Sequence, residues 1–124
     1  MQKQTVAVLG ASNKAHRFSY RAVKLLSHYG HEVIPVHPKL EEIDGIKVVA
    51  SLEQIVLPVD TLTLYVGEKH SRPLIDKIVA LKPRRVIFNP GTASVELQEK
   101  LIVAGIAYIH NCTLVMLESA GFDF

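Results

Sequence analysis

The residues of this chain with the clearest chemical capacity lie in VLGASNKAHRFSY, residues 8–20. An apolar run, TVAVL from Thr5 to Leu9, leads into this stretch, and a helix-like segment follows it. Gly10 supplies the tight turn. Ser12 offers a hydroxyl and a backbone N–H, and the start of the following helix favours an anion. Lys14, His16 and Arg17 add positive charge beside it. The spelling is not G-x-G-x-x-G, because Ser12 stands at the second glycine position and Ala15 at the third. These residues suit a phosphate group, and a purely structural strand-to-helix turn would be spelled the same way.

The end of the next apolar run, EVIPV from Glu32 to Val36, narrows the chemistry. Enzymes that use NAD place an acid here to accept hydrogen bonds from the ribose hydroxyls. This strand ends in His37-Pro38-Lys39, and Glu32 lies at its wrong end. An acid would repel an additional phosphate, whereas Lys39 would attract one. The reading points away from NAD and toward a ligand phosphorylated on or near the adenosine ribose, such as NADP or coenzyme A. A solvated surface lysine fits the same spacing. A third feature is Asn89-Pro90-Gly91-Thr92, where Gly91 allows either close passage of a ligand chain or a tight turn into the next helix.

Catalytic groups are sparse. The six histidines, at positions 16, 28, 31, 37, 70 and 110, form no H-E-x-x-H or other metal-ligand spacing. There is no G-x-S-x-G elbow. Glu41 and Glu42 belong to a loop expected to face water. Cys112 follows the last strand and either faces the ligand crevice or is an inert buried thiol. No residue is assigned a catalytic or metal-binding role, and no enzyme activity is expected from this chain alone.

The elements that must position these residues alternate. Strands are expected at Thr5–Leu9, Glu32–Val36, Thr61–Val66, Arg85–Phe88 and Ile106–His110. Helices are expected at Ser19–Tyr29, from Ser71 to about Leu81 with Pro73 in the first turn, and at Ser94–Ala104. IKVV forms a short extended piece, SLEQI a helical turn and TLVML a last short helix. Such alternation implies an α/β domain with a parallel sheet covered by helices on both faces. The expectation is a single Rossmann-like domain over residues 1–124, with five strands in the order 3-2-1-4-5. Ligands of such sheets sit beyond the carboxyl ends of the strands, where strand order reverses.

Composition agrees. The chain has 124 residues, nearly half hydrophobic, with one cysteine and a net charge of +2. That supports a packed core without disulfides, and the charge is too mild to argue for nucleic acid or a membrane surface. The apolar run near the N-terminus is too short for a secretory or membrane-spanning segment, so a cytoplasmic location is expected.

Taken together, VLGASNKAHRFSYRAVKLL, GHEVIPVHPKLEEIDG, VDTLTLYV, FNPGTASVELQEKL and AGIAYIHNCTLVML resemble the CoA-binding domain family of small bacterial proteins. These are similar to the N-terminal domain of the succinyl-CoA synthetase alpha subunit, standing alone. The resemblance implies that Gly10, Ala11, Ser12 and Asn13 line the nucleotide-phosphate turn. It implies that Lys39 faces the phosphorylated adenosine end, and that Asn89, Pro90 and Gly91 border the pantetheine arm. Arg17 and Ser19 open the first helix in the same neighbourhood. Relatives commonly carry Asn or Ser at the position of His37 and Gln at that of Asn89. The synthetase's phosphorylated histidine belongs to a second domain that has no counterpart here, so its ligase activity is not carried over. The implied function is non-catalytic binding of coenzyme A or an acyl-CoA, as a sensor or buffer. The alternatives are an NADP-linked binding domain or redox sensor that needs a partner for catalysis, and a protein-interaction module on a ligand-free fold. A small-molecule nucleotide is thus the expected partner.

Overall fold

A computed structural model describes all residues from Met1 to Phe124. The elements are β1 (Thr5–Leu9), α1 (Phe18–His28), β2 (Glu32–Val36), β3 (Glu42–Ile43), β4 (Ile46–Lys47), β5 (Thr61–Leu64), α2 (Glu68–Ser71), α3 (Ile75–Leu81), β6 (Arg85–Phe88), α4 (Val95–Ala104), β7 (Ala107–His110) and α5 (Thr113–Glu118). Five of the strands form one parallel sheet in the order β2-β1-β5-β6-β7. The α/β class and the five parallel strands are as expected.

The strand order is a correction. Counted over the five sheet strands, it runs 2-1-3-4-5, not 3-2-1-4-5: the third, β5, crosses back to the far side of β1. The physical reason lies in Pro35. Glu32 N–H donates toward β1, to the Gln4 carbonyl, so Pro35 faces the outer edge of β2, where its carbonyl accepts from Val49 N–H at 3.0 Å. A full ladder on that edge would need the N–H that proline lacks. The edge takes only a single bridge, Val36 to Val49, completed by His37 N–H donating to the Val49 carbonyl at 3.0 Å.

Local departures also have causes. The segment expected as a plain loop, with IKVV merely extended, contains the hairpin β3–β4. It turns at Asp44 and Gly45, with φ of 47° and 85°. That is the pair of positive φ values that an Asp-Gly hairpin turn supplies. The helix expected from Ser71 begins earlier, at Glu68, and is interrupted by a 3-10 turn over Arg72–Leu74. Pro73 cannot donate an intrahelical bond there. The third sheet strand stops at Leu64 rather than Val66, level with the ends of its neighbours Leu9 and Phe88. That frees Tyr65 and Val66 for the loop beyond the sheet.

Successive residues of a strand face opposite sides, so the buried β1 feeds two cores. Ala7 and Leu9 join Leu62, Leu64, Val86 and Phe88 beneath α3 and α4, through Ile75, Ile78, Leu97 and Leu101. Val6 and Val8 join Ile87 beneath α1 and α5, through Val23, Leu26, Met116 and Leu117. Truncating any of these buried aliphatic side chains to alanine costs about 2–5 kcal/mol. At the amino ends of the strands a buried polar network closes the base. Arg85 Nε donates to Thr61 Oγ1 at 2.9 Å, Thr61 Oγ1 donates to Gln4 Oε1 at 2.6 Å, and Arg85 also donates to the Phe122 carbonyl. No helix is long and apolar enough to cross a membrane.

Candidate functional site

The loops at the carboxyl ends of β1, β2, β5 and β6 enclose a cleft of about 920 Å³. It lies where β2 and β5 diverge on either side of β1, the switch point at which such sheets bind ligands.

The loop from β1 to α1 forms its floor. Gly10 has φ +88°, and a Cβ there would stand 2.7 Å from Val66 Cγ1 and 3.1 Å from the Tyr65 carbonyl carbon and oxygen. Only glycine lets the loop pass this close to the end of β5. Ala11 N–H then donates to the Val36 carbonyl at 3.3 Å, tying the loop to β2. Ser12 Oγ accepts from Lys14 N–H at 3.0 Å, which bends the chain toward α1. At the N-cap of α1 stands Arg17, in an extended conformation and without a side-chain capping bond, and the first turn of α1 carries no acid.

The His37-Pro38-Lys39 segment forms one wall. His37 Nδ1 accepts two backbone N–H groups, from Lys39 at 3.0 Å and from Leu40 at 3.1 Å. An accepting Nδ1 places the proton of the neutral ring on Nε2. Asn and Ser organise turns in this way through their own side-chain oxygens. The histidine therefore performs the turn-forming task that Asn or Ser performs elsewhere, and it holds the exposed Lys39 at the rim.

Charge along the cleft is one-sided. Lys14, Arg17 and Lys39 line it, and no Asp or Glu does. None of the three Lys and Arg side chains takes part in a salt bridge, since the ion pairs lie elsewhere: Lys24–Asp44, Arg72–Glu68, Arg72–Glu96, Lys77–Glu53 and Arg84–Asp60. Asp44, on the nearby hairpin, is held by Lys24 at 3.1 Å and by the Tyr20 hydroxyl.

Of the residues singled out from sequence, Gly10, Ala11, Ser12, Asn13, Arg17, Ser19, Lys39, Pro90 and Gly91 all line this one cleft. Asn89 does not. It is 3% exposed and ties the carboxyl ends of β5 and β6 to the start of α5. Its Nδ2 donates to Thr63 Oγ1 at 2.6 Å and to the Leu64 carbonyl at 2.8 Å, and its Oδ1 accepts from Thr113 N–H at 2.9 Å. Strand β6 ends one residue earlier, and its alternation turns this side chain into the protein while Pro90 and Gly91 emerge at the cleft. Cys112 is also absent from the lining; it takes the N-cap position of α5.

Gly67, His70 and Thr92, which follow strands in the sequence but were given no role there, line the cleft as well, and so do Phe18, Tyr65 and Val66, which sequence reasoning passed over. Tyr65 and Val66 were missed because the strand was expected to run through them, and Phe18, 64% exposed, because it opens the helix. The Tyr65 hydroxyl is buried without a hydrogen-bond partner. Burial pushes its pKa up to about 12; the hydroxyls of Thr113 and Thr63 lie near enough to oppose that shift. Those two are already joined to each other at 2.7 Å. No three His, Cys, Asp or Glu side chains come together in a metal-binding group.

A model of the CoA binding domain matches residues 4–118, nearly the whole chain. The chain belongs to the CoA-binding domain family. Among relatives of this CoA-binding domain, the uncharacterized protein YneT of Bacillus subtilis is 34% identical over 64 residues, 52% of this chain and 47% of that protein. The alpha subunit of acetate–CoA ligase [ADP-forming] II from Pyrococcus furiosus is 37% identical over 65 residues, 52% of this chain and 14% of the subunit. The matched stretches thus span less than half of either relative. Among solved structures, a Thermus thermophilus protein is 29% identical with a TM-score of 0.88, the match covering 97% of this chain and 91% of that one. A crystal structure of an uncharacterized protein is 39% identical with a TM-score of 0.91, covering 98% of this chain and 100% of that one. The CoA-binding domain is thus related to domains of CoA ligases and keeps their α/β fold.

Proposed function

We propose that this chain binds coenzyme A or an acyl-CoA without transforming it, with residues 1–124 acting as one cytoplasmic binding domain. The observation that carries the reading is the cleft lined by three unpaired cations and no acid, at the switch point of a CoA-binding-family sheet. The nucleotide diphosphate lies over the Gly10–Asn13 turn and the start of α1, where backbone N–H groups and Arg17 favour negative charge. Lys39 takes the ribose phosphate from the opposite wall. Pro90 and Gly91 border the pantetheine arm, which leaves past the end of β6. The P. furiosus ligase subunit, named for a reaction of CoA, supports the ligand class.

Calorimetric titration of protein stripped of carried ligand tests this, with CoA, acetyl-CoA, dephospho-CoA, NADP and NAD compared. Tightest binding by CoA or acetyl-CoA, with NAD weakest, is the expected result. Tighter binding of NADP than of CoA replaces the ligand assignment, and binding of none of them refutes it.

A further inference from the structure

The two edges of the sheet are finished differently. The β2 edge carries Glu32 and Pro35 and is covered at its carboxyl end by Val49. The β7 edge, Ala107-Tyr108-Ile109-His110, has no proline, no Asp, Glu, Lys or Arg, and no strand beyond it. Asn111 N–H donates inward to the Phe88 carbonyl at 3.2 Å. By alternation, the N–H and C=O groups of Tyr108 and His110 point outward. An open, uncharged edge is a template for another strand.

One flank of α4 overhangs this edge. Gln98 Nε2 meets His110 Nε2 at 2.8 Å, which fixes the side of α4 that looks over β7. Val95 and Ile102 flank Gln98 at helical spacing and are 65% and 63% exposed. The opposite flank is directed elsewhere, since Glu96 pairs with Arg72 at 3.4 Å.

The geometry points to a second copy of this chain as the occupant, paired β7 to β7 in antiparallel fashion across a two-fold axis. The edge accepts only an extended strand, and with no Asp, Glu, Lys or Arg of its own it offers an ionic strand no partner; β7 itself meets both requirements. Ile106 N–H is already spent on the Leu101 carbonyl at 2.9 Å. That sets the register: Tyr108 of one copy exchanges both bonds with His110 of the other, and the axis passes at Ile109. The α4 stripes of Val95, Gln98 and Ile102 then meet across the same axis, closing an isologous contact.

Sedimentation equilibrium and distance measurement between nitroxides on Cys112, the sole cysteine, test this in the full chain. Wild-type protein should form a dimer. Cys112 lies three residues from the axis, so the two Cα atoms should stand about 20 Å apart at ~3.3 Å per residue. Ile102→Lys, at an exposed position, should retain the wild-type thermal melt and weaken the dimer at least tenfold. A wild-type chain that stays monomeric up to millimolar concentration overturns the assignment and leaves the edge to a strand of another protein. A dimer that Ile102→Lys leaves intact, or whose nitroxides lie far from that spacing, overturns it as well.

Discussion

Asn89 Oδ1 accepts the backbone N–H of Thr113 at 2.9 Å, joining the end of β6 to the start of α5. The same amide donates to Thr63 Oγ1 and to the Leu64 carbonyl, so one side chain joins β5, β6 and α5 beneath the cleft. Asn89→Ala takes this partner from the Thr113 N–H and the Leu64 carbonyl, while the Thr63 hydroxyl keeps its bond to Thr113 Oγ1, at a cost of about 1–3 kcal/mol for each group left unsatisfied. Net destabilisation of about 2–4 kcal/mol is expected by urea unfolding. An unchanged midpoint and slope would show that this brace contributes nothing.

Gly10→Ala should be damaging out of proportion to one methyl group. The new Cβ would collide with Val66 Cγ1 at 2.7 Å in a left-handed backbone. Left-handed conformation alone costs about 1–3 kcal/mol for a non-glycine residue. Thermal melting should show a loss of at least that size, together with weaker CoA binding as the floor shifts. Wild-type stability in the variant would mean that Val66 yields freely.

Lys39→Glu reverses the charge at the rim of the cleft. An exposed ion pair is worth no more than about 1 kcal/mol, but reversal also adds repulsion. Weakening of CoA binding by at least tenfold, roughly 1.4 kcal/mol, is expected from titration calorimetry. Dephospho-CoA, which lacks the ribose phosphate, should lose much less. Equal losses for both ligands would show that Lys39 does not read that phosphate.

Tyr65→Phe removes a buried hydroxyl that finds no partner. An unsatisfied buried group costs about 1–3 kcal/mol, so the variant should be as stable as wild type or more stable. A stability loss beyond about 1 kcal/mol in denaturant titration would mean that the hydroxyl is bonded in solution.

His31 should make stability fall in mild acid. Its Nδ1 accepts Gln4 N–H at 3.0 Å, and burial, the largest influence, lowers its pKa below the ordinary 6.5, against the opposing charge of Asp123. The unfolded chain therefore takes up the proton first. The neutral ring's contribution is fully present above 6.5 and is lost as pH falls through the lower native value. Unfolding free energies measured across that window should decline more steeply in wild type than in His31→Gln. Parallel curves would remove His31 as the cause.

Much of this protein was legible in its sequence because the signals are local. Strand and helix periodicity, the Gly10 turn and Lys39 in place of an acid each depend on a few neighbouring residues. They determined the α/β class, the five strands of the sheet, and Gly10, Ser12, Arg17, Lys39 and Gly91 among the residues that line the cleft, whereas Ala11, Asn13, Ser19 and Pro90 followed from the family resemblance. The Pro35 signal was local too, but its meaning depended on which edge the missing N–H faced. Strand order is a choice among long-range pairings, and only the packed sheet decided that β5 lies beside β1. Asn89 was expected to border the ligand, and its inward direction was hidden for a related reason. Its place after a strand is a property of sequence, whereas its direction follows from where β6 ends in the ladder and from the Thr63 and Thr113 groups that assembly brings to it. The cleft's lack of acids also emerged only on folding, because Glu41, Glu42, Asp44 and Glu68 are close in sequence to residues that line it, and tertiary packing keeps all four out of the lining.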